Sequence, residues 1–284
     1  MPNTIVKKRS LIPGQTSELV IEAPHIAAKA KPGNFVILRV CPQGERIPLT
    51  IADADPKAGT ITIVYLVLGK TTAHLESLKQ GEEIHDLCGP LGKPTEIHKV
   101  EGPVYCVGGG TGIAAMHHIA KGHHVAGNHV VAIIGARSKN LLLFEEELSR
   151  FCPEVLVSTD DGSYGRKGFV TEILEDRLKA DPTVAEVVAV GPVPMMAAVA
   201  KVTKPYGVKT TVSLNSIMLD GVGMCGACRV SVGGKTKFTC VDGPEFDGQL
   251  VDFKELSQRL AAFKDMERIS YEEYKKNHVC NCSC

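Results

Sequence analysis

The sequence has no excess of charge of either sign: Lys plus Arg and Asp plus Glu both number 32, so the formal net charge is zero. Without surplus basic residues, a polyanion-binding surface is not expected, and we predict no nucleic-acid partner. The longest apolar tract, residues 187–202, is interrupted by Gly191, Pro192 and Pro194 and is too short to cross a bilayer. Residues 1–15 contain no apolar stretch typical of a secretory signal, so we expect a cytoplasmic protein without a membrane partner.

The ten cysteines fall into three sets, and the absence of a signal peptide argues against a secreted disulfide framework. Single cysteines far apart in the chain are expected to be inert small hydrophobes, whereas clustered cysteines suggest metal chemistry. The sets are Cys41, Cys88, Cys106 and Cys152, which stand alone; Cys225, Cys228 and Cys240; and Cys280, Cys282 and Cys284 in the tail. For the tail, a frayed and reducible end is favoured over a metal site.

The 284 residues, 44% of them apolar, are enough for two domains with proper cores. Short β-branched runs at 35–40 and 60–68, bounded by Gly/Pro turns, predict a small barrel or sandwich. Later apolar strands alternate with helix-like segments at 141–151 and 168–179, which predicts a doubly wound parallel sheet. Those strands are expected at 103–107, 129–136, 154–159 and 186–191. A loop-rich, cysteine-bearing segment and a charged helical stretch at 252–276 follow, so we divide the chain into 1–98, 99–211, 212–250 and 251–284.

Two glycine turns follow predicted strands of the parallel sheet. GGGTG at 108–112 lies between a strand and a helix, where backbone N–H groups can approach a pyrophosphate, although a tight turn alone would look similar. The spacing is not G-x-G-x-x-G, and GARS replaces the acidic residue expected after the next strand. The second turn begins at Gly191. Because both turns stand at carboxyl ends of strands, where open α/β sheets bind ligands, we predict a nucleotide site.

A third motif, RIPLT at 46–50, lies in the β-rich region and is followed by LGKTT at 68–72. An arginine beside an extended segment can clamp a phosphate through paired donors. From the residues alone, a solvated arginine at an ordinary strand end is the better explanation of the pattern.

The cysteine loop LDGVGMCGACRV, with Cys240 further on, can be written D-x4-C-x2-C-x11-C, beginning at Asp220. Plant-type [2Fe–2S] proteins use C-x4-C-x2-C and a later cysteine, so Asp220 stands in the place of the first thiolate. The glycines of the loop suit a chain that wraps around a cluster. A Cys3Asp zinc site and thiol–disulfide exchange at the C-x-x-C remain alternatives.

Together, R-x-P-L-T, GGGTGIA, TDDGS and the cysteine loop resemble the ferredoxin-reductase superfamily over roughly residues 1–275. Within it, the chain is similar to the branch that contains electron-transfer subunits of dihydroorotate dehydrogenase and small subunits of NADH-dependent ferredoxin:NADP oxidoreductases, also described as sulfide dehydrogenase subunits. The resemblance implies a β-barrel FAD domain, an α/β doubly wound NAD(H)-binding domain and a small C-terminal [2Fe–2S] loop domain. The aspartate in place of the first cluster cysteine points to the second, electron-bifurcating group.

The resemblance also assigns residues to cofactors. Arg46 would bind the FAD pyrophosphate and Thr50 would lie beside the reactive edge of the flavin, with Leu49 between them and Pro48 where the superfamily often has a stacking tyrosine. The other implied FAD contacts are Tyr65, Leu66, Val67, Gly69, Lys70, Thr71 and Thr72. For the pyridine nucleotide, Gly109, Gly110, Thr111 and Gly112 would receive the pyrophosphate, Arg137 would lie near the adenosine ribose, and Asp160, Asp161, Gly191 and Pro192 nearer the nicotinamide. The implied metal ligands are Asp220, Cys225, Cys228 and Cys240.

The function implied is electron transfer between NAD(H), FAD and a [2Fe–2S] cluster, with no catalytic nucleophile or acid–base pair. The cluster needs an acceptor outside this chain, so the resemblance implies a larger flavin/iron–sulfur subunit and, through it, ferredoxin. An electron-transfer subunit for dihydroorotate oxidation is the alternative within enzymes. A zinc-stapled, non-catalytic nucleotide sensor is the alternative from another class.

Overall fold

The computed structural model describes residues 3–277, so the predicted role of the cysteine tail lies outside the described residues. The strands are β1 (Ile5–Ile12), β2 (Thr16–Glu22), β3 (Phe35–Arg39), β4 (Arg46–Asp55), β5 (Thr60–Leu66), β6 (Asp86–Leu91), β7 (Val104–Gly109), β8 (Val130–Ala136), β9 (Glu154–Thr159), β10 (Arg166–Lys167), β11 (Glu186–Val190), β12 (Lys209–Ser213), β13 (Arg229–Val232), β14 (Lys235–Phe238) and β15 (Glu245–Asp247). The helices are α1 (Pro24–Ala27), α2 (Lys70–Ser77), α3 (Gly112–Val125), α4 (Glu145–Ser149), α5 (Val170–Ala180), α6 (Val193–Thr203), α7 (Thr239–Asp242), α8 (Phe253–Ala261) and α9 (Lys264–Asn277). Two 3₁₀ turns cover Lys139–Leu141 and Lys204–Tyr206. No helix within 3–277 is long and apolar enough to span a bilayer.

The first sheet has six antiparallel strands in the order β1-β2-β5-β4-β3-β6. A bridge between Thr4 and Glu83 joins the two ends of this order, so the sheet closes into a barrel. Alternate side chains point inward and form an aliphatic core, in which Leu19, Ile51 and Ile63 are fully buried. The predicted β-barrel is confirmed.

The second sheet has seven strands in the order β10-β9-β8-β7-β11-β12-β15, all parallel except β15. Its central strands are apolar on both faces, since Val107 and Ile133 face one helical layer while Cys106 and Ile134 face the other. Helices α5, α6 and α8 cover the first face, and α3 and α4 cover the second. This is the predicted doubly wound arrangement. The sequence could indicate it because strands that are buried on both faces are apolar along their whole length.

The cysteine-bearing segment leaves the second sheet and returns to it. It starts where β12 ends and comes back as β15, which pairs antiparallel with β12 so that Ser213 lies opposite Glu245. Between them, β13 and β14 form a hairpin, and α8 packs against β13. Strand β15 therefore extends the nucleotide-domain sheet from within the segment assigned by sequence to the cluster region.

Helix α3 also fixes the barrel against the second sheet. Its His118 Nδ1 lies 2.8 Å from the carbonyl oxygen of Ile51 in β4. Lys121 Nζ lies 2.9 Å from Asp53 Oδ1 on the same strand. Ala114 adds a small apolar contact with Ala52 and Val64 of the barrel. These contacts set the relative position of the two sheets.

The structure corrects two helical predictions. Of the predicted helix at 141–151, only the five residues of α4 are α-helical. Phe144 adopts a positive φ of 60°, so the helix cannot extend to the residues before Glu145. The preceding leucines instead pack in extended or 3₁₀ conformation against the α3 side of the sheet. The charged stretch at 252–276 forms two helices, α8 and α9, rather than one. Asp252 caps the first by accepting a hydrogen bond from the Glu255 backbone N–H.

Candidate cofactor site

A cleft of about 1220 Å³ separates the barrel from the carboxyl ends of the parallel strands. It is larger than the roughly 300–1,000 Å³ of a single small-molecule site, so it has room for two extended ligands. The predicted residues that line it are Pro48, Leu49, Thr50, Tyr65, Leu66 and Val67 from the barrel, and Gly109, Gly110, Thr111, Gly112, Arg137, Asp160, Gly191 and Pro192 from the sheet. The fold therefore brings the barrel motif and both glycine turns to one space.

The GGGTG turn provides a backbone cradle in this cleft. Gly110 has a φ of +55°, and a Cβ placed on it would meet nothing within 4 Å, while its backbone N–H donates to the Gly135 carbonyl oxygen at 3.2 Å. At Gly112, the first residue of α3, a Cβ would lie 2.6 Å from the Val190 carbonyl oxygen and 2.7 Å from the Gly191 Cα. Gly112 is thus required for the close approach of α3 to the end of β11. The resulting pocket of helix N-terminal N–H groups suits a pyrophosphate.

The predicted nucleotide residues follow strands that lie on different sides of β7. Strands β8 and β9 lie on one side and β11 and β12 on the other, which is the 3-2-1-4-5 order of dinucleotide-binding sheets with its switch point between β7 and β11. Arg137 and Asp160 follow β8 and β9, whereas Gly191 follows β11. The sequence prediction grouped Asp160 and Asp161 with the nicotinamide, but the sheet order puts them on the side of Arg137.

Asp161 does not line the cleft, and its carboxylate is used locally. Its Oδ1 accepts hydrogen bonds from the Ser163 backbone N–H at 2.9 Å and from the Ser163 hydroxyl at 2.6 Å. The Ser163 hydroxyl and N–H lower the pKa of Asp161. These bonds stabilise the turn after β9.

On the barrel side, Thr50 and Tyr65 come from neighbouring parts of the sheet. Thr50 lies opposite Phe35, which also lines the cleft. The Tyr65 hydroxyl donates to Glu76 Oε2 at 2.7 Å, and burial together with Glu76 raises the pKa of Tyr65. Its phenol is therefore hydrogen-bonded to α2.

Arg46 and the 69–72 segment lie beside the cleft rather than in its wall. Arg46 begins β4, is exposed, and borders a second cavity of about 810 Å³. Gly69 precedes α2, where the Thr72 hydroxyl accepts the Leu68 and Gly69 backbone N–H groups at 3.0 and 3.1 Å. Thr71 Oγ1 donates to Glu45 Oε2 at 3.2 Å, so this helix start lies next to the residue that precedes Arg46. Lys70 is the first residue of α2.

The structure brings two of the four predicted metal ligands together. Cys228 and Cys240 are each 1% exposed, and their sulfur atoms are 3.1 Å apart. Burial and the Cys228 thiol raise the pKa of Cys240 to about 12. Cys225 is exposed, and within residues 3–277 no three His, Cys, Asp or Glu side chains converge as they stand to hold a metal ion. A pair of buried thiols, of which Cys228 is on a loop whose Gly221, Gly223 and Gly226 all have positive φ, nevertheless fits a chain that wraps around a cluster.

Asp220 is held by its own loop. Its Oδ1 accepts the Val222 backbone N–H at 2.9 Å and its Oδ2 accepts the Cys225 backbone N–H at 2.6 Å, and these donors lower the pKa of Asp220. A carboxylate has about four acceptor positions, so each oxygen keeps a further lone pair. The same bonds would also be made by an aspartate that only shapes the turn.

One apolar cluster connects the cleft with the cysteines. Phe35, Met218, Cys228 and Cys240 pack together, and both Phe35 and Met218 line the cleft. Gly221 lies directly against this part of the barrel, since a Cβ there would come within 2.7 Å of Ile37. The buried thiols therefore lie one layer of side chains from the cleft.

Two protein-family profiles match the chain. Residues 215–252 match the iron-sulfur cluster binding domain of dihydroorotate dehydrogenase B, and residues 106–201 match the oxidoreductase NAD-binding domain. The first contains the apolar cluster's cysteines and the second contains the GGGTG turn.

Curated relatives match over nearly the whole chain. The Thermotoga maritima dihydroorotate dehydrogenase B (NAD(+)) electron transfer subunit homolog is 46% identical over 96% of this chain and 96% of its own length. The Geobacillus kaustophilus dihydroorotate dehydrogenase B (NAD(+)) electron transfer subunit is 36% identical over 85% of this chain and 94% of its own. The chain belongs to this electron-transfer subunit family.

A solved structure of NADH-dependent reduced ferredoxin-NADP oxidoreductase, studied for flavin-based electron bifurcation, contains a chain similar to this family member. It is 44% identical with a TM-score of 0.91, and the match covers 97% of this chain and 98% of that chain. The chain is thus an oxidoreductase subunit for electron transfer, as the sequence predicted. Its domains and fold support the predicted cofactors FAD, iron–sulfur cluster and NAD(H), and favour the cluster over zinc.

The sequence reading missed one wall of the cleft in this family member. The end of β12 and the segment that follows it line the cleft through Ser213, Leu214, Asn215, Ser216 and Met218. Phe169, at the start of α5, and Thr16, at the start of β2, also line it. The signal for the first of these was the β-branched run KTTVS, a further parallel strand whose carboxyl end reaches the ligand edge.

Proposed function

We propose that this chain passes electrons between NAD(H), FAD and a [2Fe–2S] cluster as the small subunit of a bifurcating NADH-dependent ferredoxin:NADP oxidoreductase. One observation carries the proposal: Phe35 and Met218 line the cleft and also pack against the buried Cys228 and Cys240. A cleft that is open to two cofactors and in contact with a thiol pair suits a chain of redox groups. Bound FAD supplies the exchange between electron pairs from nicotinamide and the single electrons that an iron–sulfur cluster carries.

The chain's own residues bind and orient these groups. The backbone N–H groups of Thr111 and Gly112 receive the dinucleotide pyrophosphate, and Gly112 keeps α3 close enough to aim its N-terminus at that anion. The adenosine half extends over β8 and β9 toward Arg137 and Asp160, and the nicotinamide half extends over β11 toward Gly191. We retain Asp161 only as a residue of the turn that carries Asp160.

On the flavin side, Thr50 and the backbone of Tyr65–Val67 form the wall that the isoalloxazine contacts. Arg46 and the start of α2 bind its phosphates outside the main cleft, since the Glu45–Thr71 hydrogen bond brings the two segments together. We propose the division 1–98 for FAD, 99–211 for NAD(H), 212–250 for the cluster and 251–284 as a C-terminal region that contains α8, α9 and the tail. Strand β15 ties the third part to the second sheet.

For the cluster we propose Asp220, Cys225, Cys228 and Cys240 as ligands. The buried thiols supply one side of the site, while Cys225 and Asp220 stand on the exposed limb of the loop, joined by the Cys225 N–H to Asp220 Oδ2 bond. Small shifts of this glycine-rich limb bring its two ligands toward the fixed pair.

Substitution at Asp220 separates a ligand from a turn residue. Asp220→Asn keeps an acceptor for the Val222 N–H but loses the anionic oxygen, whereas Asp220→Cys supplies the thiolate usual at this position. If Asp220 binds iron, Asp220→Cys keeps a [2Fe–2S] cluster with an altered potential and EPR line shape, because ligand identity tunes the cluster. The matched control is Asp242→Asn. Asp242 is a nearby aspartate whose carboxylate also accepts a backbone N–H, that of Phe238. An unchanged spectrum and potential in Asp220→Cys would contradict the assignment.

A second candidate, the electron-transfer subunit of a dihydroorotate dehydrogenase, is favoured by the names of the curated relatives. The aspartate in the first ligand position favours the bifurcating enzyme. Co-purification from the native source separates the two. A partner that oxidises dihydroorotate supports the second candidate, and a larger flavin/iron–sulfur subunit active with ferredoxin and NADP supports the first.

The chain is insufficient for bifurcation by itself. We predict that the isolated protein, loaded with FAD and cluster, oxidises NADH with an artificial dye but does not couple NADH and reduced ferredoxin to NADP reduction. Within residues 3–277 there is one doubly wound sheet and one cysteine loop, whereas the coupled reaction requires a second nucleotide site. The larger subunit contacts the exposed side chains of Leu219, Val222 and Met224 around the loop. NADP reduction by the small subunit alone, dependent on both donors, would overturn this division of labour.

A further inference from the structure

Ser216 carries a buried hydroxyl that has no hydrogen-bond partner among the residues described. The residue is 5% exposed and lines the cleft. The buried nitrogens His117 Nδ1 and His123 Nε2 also have no partner within 3–277, but those residues do not line the cleft. Leaving a buried hydroxyl unpaired costs about 1–3 kcal/mol, and such groups in native proteins call for an explanation.

The backbone on both sides of Ser216 fixes its position. The Leu214 backbone N–H donates to the Pro244 carbonyl oxygen at 2.9 Å, and the Leu214 side chain is buried in the core of the second sheet. Met218, two residues after Ser216, packs against Phe35 of the barrel and the two buried cysteines. Residues 214, 216 and 218 are all buried while 215 is exposed, so Ser216 faces inward with its anchors.

Ser216 stands where the barrel, the second sheet and the cysteine loop meet. Phe35, the contact of Met218, lies opposite Thr50 in the barrel sheet, and Thr50 lines the cleft. An alanine would fill the same space as Ser216 without an unpaired hydroxyl, so packing alone does not explain this residue. A hydroxyl can donate to a ring nitrogen or carbonyl, which are the polar groups at the edge of a flavin.

We propose that Ser216 is a flavin-contacting residue whose hydroxyl donates a hydrogen bond to an acceptor atom at the edge of the isoalloxazine ring. The inference rests on the proposed function and adds a residue to it. Flavin is the expected partner because Met218, two residues after Ser216, packs with the barrel residue Phe35, and because a buried hydroxyl is matched by a ligand that remains bound. A donor at this edge favours the reduced, more electron-rich ring.

The test compares FAD-loaded Ser216→Ala, Ser216→Thr and Ser257→Ala. Ser257 is the control because its hydroxyl donates within α8 to the Phe253 carbonyl oxygen, on the exposed surface. The measurements are the FAD midpoint potential, the flavin absorbance spectrum, and kcat and KM for NADH with an artificial dye. We expect Ser216→Ala to lower the reduced-to-oxidised FAD ratio about tenfold at a fixed potential, which is about 30 mV for two electrons. Ser216→Thr, which keeps the hydroxyl, should remain near the wild type.

Each other outcome counts against the inference. An unchanged potential and spectrum in Ser216→Ala overturns it, as does an equal change in Ser257→Ala. A raised KM for NADH with an unchanged flavin potential assigns the hydroxyl to the nicotinamide instead and also overturns it. In all these cases the wild type still binds FAD that NADH reduces, so the proposed function survives. A wild type whose FAD is not reduced by NADH contradicts the proposed function and this inference together.

Discussion

The cleft and the cysteine loop, defined here as residues 219–230, are held in place by different forces. The walls of the cleft are ends of strands whose side chains belong to three large apolar cores, so the cleft is formed before any ligand binds. The cysteine loop relies on glycines with positive φ, the Asp220 hydrogen bonds and one small cluster around Cys228 and Cys240. Its Leu219, Val222 and Met224 are exposed. The shape of the nucleotide site is therefore maintained by the fold, whereas the shape of the metal site depends on binding of the metal.

The largest expected effect comes from breaking the thiol pair. Cys240→Ser removes the buried sulfur that contacts Cys228 of the loop, and we expect iron and sulfide content to fall by more than about tenfold. FAD content should remain near that of the wild type, because the cleft is built by other residues. Iron, sulfide and FAD counted per chain provide the measurement, with Cys88→Ser at an exposed single cysteine as the control. Loss of FAD together with iron would show that the two sites are not independent.

Substitution of Arg46 tests the proposed FAD site of the barrel. If Arg46 clamps the FAD diphosphate, Arg46→Ala loses charge-assisted hydrogen bonds at a cost of roughly 1.5–3 kcal/mol. That corresponds to about 10- to 150-fold weaker FAD retention, with the cluster unchanged. Equilibrium dialysis measures the retention, and Lys57→Ala, beyond the other end of β4, is the control. A variant that keeps its full FAD after extended dialysis would mean that the RIPLT match is accidental.

The two glycines of the GGGTG turn separate packing from ligand space. Gly112→Ala places a Cβ 2.6 Å from the Val190 carbonyl oxygen, so α3 must move. We expect a loss of about 1–3 kcal/mol in the free energy of unfolding and weaker NADH binding. Gly110→Ala meets no atom within 4 Å and should cost only about 1 kcal/mol, the strain of its φ of +55°. Chemical denaturation checks both, and equal losses would disprove the distinction.

Glu245 lies where the cysteine-bearing segment rejoins the sheet, and its charge makes the free energy of unfolding depend on pH. Thr95 Oγ1 donates to Glu245 Oε1 at 2.6 Å, and burial raises the pKa of this carboxyl from 4.5 to about 7. Because the folded state holds the proton more tightly, this stabilisation is present below pH 4.5 and is lost as the pH rises through 7. We expect Glu245→Gln to be more stable than the wild type by roughly 1–3 kcal/mol at pH 8 and equal to it near pH 4. Thermal unfolding at both pH values is the measurement, and Glu101→Gln at an exposed position is the control.

The parts of the fold that follow from local pattern could be predicted. Strand β9 has the predicted bounds 154–159, because its apolar run is bounded by turns and its side chains are all partly or fully buried. Strand β12 was missed because KTTVS is short and polar, and becomes a strand only by pairing with β11. The helix at 141–151 was over-predicted because nothing in LLLFEEELSRF signals the positive φ of Phe144.

The candidate site shows the same limit. The glycine turns and the cysteine spacing are local signals, and the cleft contains both turns. Sequence could not reveal that Met218 meets Phe35 across more than half the chain, or that the Ser216 hydroxyl is left without a partner, because both depend on how distant segments pack. It also could not order Arg137, Asp160 and Gly191 around β7, which requires the strand order.

The return of the cysteine-bearing segment to its starting point makes that segment a detachable module. Ser213 and Glu245 are paired neighbours on adjacent strands, so the excursion begins and ends about 5 Å apart at one edge of the sheet. A hairpin of a few residues could join the same two strands. An ancestral nucleotide-binding sheet could therefore have acquired its metal site by a single insertion into an edge hairpin, without rearranging any strand. By the same geometry, an engineer could graft such a module onto the edge of another reductase and supply it with a one-electron outlet.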